Sequence, residues 1–173
     1  THRRVIVHAR TSMGITMPIA YQARLERIPG VEAVMSMVLL LSQGRSESLL
    51  VGACAVEPRE HAQVMYEQQS SPEVVARFQA TRTGALVAWG IADHDKLKVG
   101  DRFTIHPLHI PATFDLEVSG ITTGNLNPTT LFFHRKYFTE KVGDHGAALF
   151  FLKVSDLDSV SRVVDSVERE FDG

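Results

Sequence analysis

Residues 83–121 constrain the fold most. Thr83-Gly84-Ala85-Leu86-Val87-Ala88-Trp89-Gly90 reads as a strand, and residues 91–99 as a short helical turn. Gly100-Asp101 is a turn, because glycine takes a positive φ freely and aspartate bonds back to the chain. Arg102-Phe103-Thr104-Ile105 is a second strand. After Pro111, Phe114, Leu116 and Val118 alternate with Asp115, Glu117 and Ser119, which predicts a third strand with one buried face. Three short strands with tight connections make a small β module that carries no catalytic signature.

The rest of the chain reads as alternating strands and helices. Residues 4–9 form a strand, and Pro18 opens a helix with Tyr21, Leu25 and Ile28 on its inner face. Pro29-Gly30 stops that helix. Residues 31–41 and 48–56 are largely apolar and are joined by a turn at 43–46, so a hairpin of central strands covered on both faces is expected. Residues 58–69 predict a helix grouping Ala62, Met65 and Tyr66. Ser71-Pro72 predicts an N-cap and first turn, with Val74, Val75 and Phe78 inward; removing such a cap costs about 1 kcal/mol. Residues 123–128 form a loop, 130–134 a strand, 136–142 a helix and 147–154 a strand. A last helix is expected to be capped by Ser155, with Asp158 in its first turn and an apolar stripe of Leu157, Val160, Val163, Val164, Val167 and Phe171.

These elements predict an α+β fold. A mixed α/β layer is built from both ends of the chain (residues 1–57 and 129–173), with an inserted helical and β-rich part at 58–128. A chain of 173 residues buries roughly 70% of its unfolded surface and folds without disulfide or metal. Its single cysteine, Cys54, lies in an apolar run and reads as a buried small hydrophobe. The formal net charge of −2 supplies no basic field for nucleic acid. Phe132, Phe133, Phe150 and Phe151 read as core. No apolar run reaches the roughly 20 residues of a membrane span. No leader precedes the first strand, and Thr1 in place of Met points to a piece of a longer protein.

Chemistry-bearing motifs are sparse. The chain has no phosphate loop, dinucleotide fingerprint or serine-hydrolase elbow. The His106-Pro107-Leu108-His109 pair falls between two prolines, which oppose the helix needed to aim both rings at one metal. Asp93-His94-Asp95 could serve a general base, but reads better as a solvated helical turn. Asp144-His145 reads as a turn, and Arg3-Arg4 as a solvated or headgroup-facing strand start. No catalytic, cofactor-binding or metal-ligating residue is assigned.

Several segments, in order, resemble the MacB-like periplasmic core domain of ABC-transporter permeases of the MacB/FtsX kind. They are Pro18-Ile19-Ala20-Tyr21 with Ile28-Pro29-Gly30-Val31, then Ala55-Val56-Glu57-Pro58. Arg82-Thr83-Gly84-Ala85-Leu86-Val87 follows, with Leu97-Lys98-Val99-Gly100-Asp101-Arg102 and the strand at 115–121. Glu57 stands where that family often has Asp, and Asp93-His94-Asp95-Lys96 is more polar than its usual sequence. The resemblance implies a non-catalytic domain on the periplasmic face of the cytoplasmic membrane, with a porter-like layer and an inserted β-rich part. Its implied partners are the permease's own transmembrane helices, a cognate ATP-binding subunit, a second permease copy, and a periplasmic adaptor or cargo, without cofactor or nucleic acid. Both chain ends are then expected on one, membrane-facing side. The loops at 43–46 and 123–128 are the expected contact surfaces. The rival readings are a free-standing periplasmic binding or scaffold domain and a small hydrolase using Asp93, His94 and Asp95.

Overall fold

The computed structural model describes residues 3–12, 15–66, 71–124 and 127–171. The elements are β1 (Arg4–Val7), α1 (Tyr21–Leu25), β2 (Val31–Gln43), β3 (Leu50–Val56), α2 (Pro58–Val64), α3 (Pro72–Ala80) and β4 (Gly84–Ala88). They continue with α4 (Trp89–Asp95), β5 (Arg102–Pro107), β6 (Phe114–Thr122), β7 (Thr130–His134), α5 (Arg135–Val142), β8 (Leu149–Val154) and α6 (Ser159–Phe171).

β2 organises the molecule. Its 13 residues, about 40 Å of extended chain, serve two assemblies in turn. From Val31 to Met37 it pairs with β8, and β8 pairs with β1, all antiparallel. β1 and β2 are therefore parallel, joined through α1 with β8 inserted between them. From Val38 to Gln43 it pairs with β3. The sheet continues through β7, β4, β6 and β5, and β5 returns to β2 at Ser42↔Pro107 and Gln43↔His106. Those two pairs close a six-stranded barrel. β3 and β7 thus lie in the barrel beside β4, and the layer and barrel meet along β2.

Period-two alternation fills the barrel. Val38, Leu40, Val51, Ala53, Ala55, Ala85, Val87, Phe103, Ile105, Leu116, Val118, Leu131 and Phe133 all belong to its core. Alanines on β3 and β4 face the larger rings, as a narrow barrel requires. β4 and β7 run antiparallel, so the helices that directly follow them start at opposite mouths. α4 plugs one with Ile91 and Ala92, and α5 plugs the other with Tyr137 and Phe138 against Phe114.

The layer has two covered faces. Val34, Phe150, Leu152 and Val154 pack with Leu25 of α1 and Val163 of α6. Met35, Met37 and Leu149 pack with Val64 and Met65 beside α2, and α3 adds Phe78 over Leu86 and Phe132 of the barrel's outer wall.

Three expectations are corrected. First, β2 and β3 are not covered on both faces throughout. Leu39, Leu41 and Leu50 are each 48% exposed, because α2 and α3 reach only the Cys54 end of that outer wall. Second, the first of the two middle helices ends at Val64, and its buried face is Pro58, His61 and Val64; Tyr66 points outward. Third, Ser71 occupies the N-cap position of α3 without a cap bond, its hydroxyl turning to the Glu73 carboxylate. α6 likewise starts at Ser159, and the Asp156 carboxylate, not Ser155, accepts from the Ser159 N–H at 2.7 Å. Thr1 and Gly173, expected on one membrane-facing side, lie outside the described residues. Arg3 bonds Ser155 O ahead of α6, whereas Phe171 ends α6 against Tyr21, about 18 Å further along the helix axis.

Candidate functional site

α4 positions the Asp93-His94-Asp95 cluster. The helix ends at Lys96, whose left-handed φ of 55° lets Leu97 N–H reach Ala92 O. Asp95 is not solvated as the sequence reading expects: its side chain is fully buried. One oxygen lies 2.7 Å from His94 Nδ1, and the other accepts from Ser46 N–H at 3.4 Å and abuts Gly44. The carboxylate therefore pins the β2–β3 turn to α4. His94 is half exposed, Asp93 faces solvent beside Lys96, and no hydroxyl or thiol nucleophile bonds His94 among the described residues.

The second predicted contact loop reaches the same helix. Ile91 N–H bonds Pro128 O at 3.2 Å, and a Cβ at Gly90 would lie 2.6 Å from that oxygen. Residues 43–46 and the described parts of 123–128 thus flank one barrel mouth around α4, while Asn125 and Leu126 lie outside the described residues. His106 and His109 are exposed at the end of β5 and beyond it. Among the described residues no three His, Cys, Asp or Glu side chains are grouped to hold a metal. Asp144 receives Arg135 at 3.4 Å and the Gly146 N–H at 2.9 Å, and His145 bonds Val142 O. Arg4 bends inward to Met65 Sδ and Val64 O.

A polar seam between layer and barrel escaped the sequence reading. Gln22 of α1 donates to Glu60 Oε1 on α2 at 2.5 Å. Arg135 of α5 reaches Ser36 Oγ on β2 at 3.5 Å and Gly146 O at 2.6 Å. Burial raises the Glu60 carboxyl above its ordinary range, against the lowering bonds from Gln22 and Ser36; Glu57 and Glu26 raise it further. Glu60 Oε2 is buried without a hydrogen-bond partner among the described residues. Next to it, His61 is 2% exposed between Phe132 and Phe78, with ring centroids 4.4 and 6.1 Å away. Burial, then the Arg4 charge, pushes its pKa down to about 4. The spacing Pro58, His61, Val64 held the signal, since three residues separate helical neighbours on one face.

No sequence-family model matches this chain, and no curated protein matches it. Solved structures do. The extracellular domain of the noncanonic ABC-type transporter YknZ from Gram-positive bacteria superposes with a TM-score of 0.63 at 9% identity, over 92% of this chain and 86% of that one. The periplasmic region of MacB from Actinobacillus actinomycetemcomitans gives 0.61 at 11% identity, over 96% and 84%. A permease-protein domain from Porphyromonas gingivalis gives 0.54 at 12%, over 90% and 70%. The fold is the one seen in these extracytoplasmic domains of ABC-type permeases. The chain shares that α+β architecture across nearly its whole length, as its resemblance to the MacB-like core domain implies.

Proposed function

We propose that this chain is the non-catalytic extracytoplasmic domain of an ABC-type permease. It works by binding and mechanical coupling, tilting as a nearly rigid body when ATP-driven motion reaches it through the membrane helices. The observation that carries this reading is the likeness of the layer and barrel to permease domains over 90–96% of the chain. The continuous β2 supports the mechanical part, since one strand belongs to both assemblies. The α4 mouth, with loop 43–46 and the described parts of 123–128, is the surface offered to an adaptor or cargo. The buried, bonded Asp95 speaks for a structural anchor and against the hydrolase reading.

Cys54 is buried, so an engineered thiol is the reactive one. In the full-length protein in sealed, oriented vesicles, Arg45→Cys should react with a membrane-impermeant thiol reagent only from the extracytoplasmic side. Labelling from the cytoplasmic side removes this reading. A gene with hydrophilic sequence in place of about 20 apolar residues on either side of the domain also removes it.

A further inference from the structure

We infer that the cleft between α1 and α6 is a binding site for a phosphate group, such as that of a small phosphate ester or an anionic lipid headgroup. Arg27, Pro29, Ser166 and Arg169 line a groove of about 400 Å³, and Pro29, Ser166, Arg169 and Arg162 line an adjoining one of about 470 Å³. Arg162, Ser166 and Arg169 share one face of α6, three to four residues apart.

Three of the four arginines lining these grooves have no carboxylate within ion-pair distance among the described residues; the fourth, Arg24, is held by Glu170. Arg24, Arg82, Arg102 and Arg135 each have a carboxylate within ion-pair distance. Among the described residues the Arg162 and Arg169 side chains donate hydrogen bonds to neutral acceptors, Arg162 to Ser159 Oγ and Arg169 to Asp165 O and Ser166 Oγ, while the Arg162 charge also helps lower the Asp156 carboxyl. The Arg27 side chain makes no hydrogen bond or ion pair with any described residue and is exposed. A guanidinium carries five N–H donors, so most donors here are unspent. The acidic groups of the cleft are Asp165, Glu170, which Arg24 holds at 2.8 Å, and Asp156 nearby, which caps α6. Arg169 lines both grooves, with Arg27 in one and Arg162 in the other, and unspent planar donors from such guanidinium groups suit the several oxygens of a phosphate better than a single carboxylate. This proposal is independent of the permease reading.

The test uses this 173-residue chain and the Arg27→Gln/Arg162→Gln/Arg169→Gln variant. A control variant, Arg45→Gln/Arg59→Gln/Arg102→Gln, loses the same charge elsewhere. Inorganic phosphate and glycerol 3-phosphate are titrated by NMR at about 0.1 M salt, where charges beyond roughly 10 Å are screened. Vesicles of phosphatidylglycerol and phosphatidylcholine, and of phosphatidylcholine alone, are co-sedimented with each protein. Saturable binding that weakens at least tenfold in the cleft variant and not in the control supports the site. Binding of the soluble esters assigns a small ligand, and binding of anionic vesicles alone assigns a headgroup. Arg27→Gln, which breaks no described contact, should weaken binding by itself with unchanged melting. Absence of binding to both probes, or equal loss in both triple variants, overturns the site.

Discussion

His61 is the residue whose burial has the clearest cost. Its ordinary pKa of 6.5 falls to about 4 in the fold, so the folded state holds it neutral. Its stabilising contribution is complete above pH 6.5 and is lost as pH falls toward 4, about 3 kcal/mol in all. His134, also lowered by burial, acts in the same direction; Glu60, raised, acts oppositely and gains as pH falls. Urea melts at pH 7 and pH 4.5 should show a loss that His61→Phe largely removes; an equal loss in the variant contradicts this. Cys54, pushed up to about 12 by burial, should resist iodoacetamide at pH 8 in the native state and react only on unfolding. Gly100 has φ of 90° with open space where a Cβ would stand, so Gly100→Val should cost more than about 1 kcal/mol through backbone strain alone. An unchanged melting temperature refutes that turn. This glycine was legible from its Gly-Asp pair, whereas the His61 environment was hidden because a polar residue does not announce that it packs between two phenylalanines.

At the scale of elements, caps separate sequence pattern from bonding. The Glu57 carboxylate accepts from Glu60 N–H at 3.0 Å at the start of α2, so Glu57→Ala should cost about 1 kcal/mol while Glu57→Asp retains most of it. Ser71→Ala, at a position without the bond, should change stability by less than about 0.5 kcal/mol. Chemical denaturation of the three variants decides both statements. Ser71-Pro72 carried the standard sequence signal, yet only geometry shows where the hydroxyl turns. Strands were easier to read. Phe114, Leu116 and Val118 alternate because one face of β6 lines the barrel. The long apolar run of β2 could not disclose that its two halves serve different assemblies. Barrel closure was equally hidden, since it rests on two register pairs between segments over 60 residues apart.

For the whole molecule, the α+β class and the order of its segments were legible, while the barrel was not. α6 carries the C-terminal end about 18 Å from the point where Arg3 meets Ser155. The layer and barrel share β2 and the seam of Gln22, Glu60, Ser36 and Arg135, so the domain should move as one body. The most direct test places a spin label at Arg45→Cys and a second at Glu168→Cys in the full-length protein, with the ATP-binding subunit that the proposed function requires, in lipid nanodiscs. On ATP binding, the distance between the two labels should hold while the distance from the position-45 label to the bilayer surface changes. A position-45 label that keeps its distance from the bilayer throughout ATP binding and hydrolysis contradicts the coupling account.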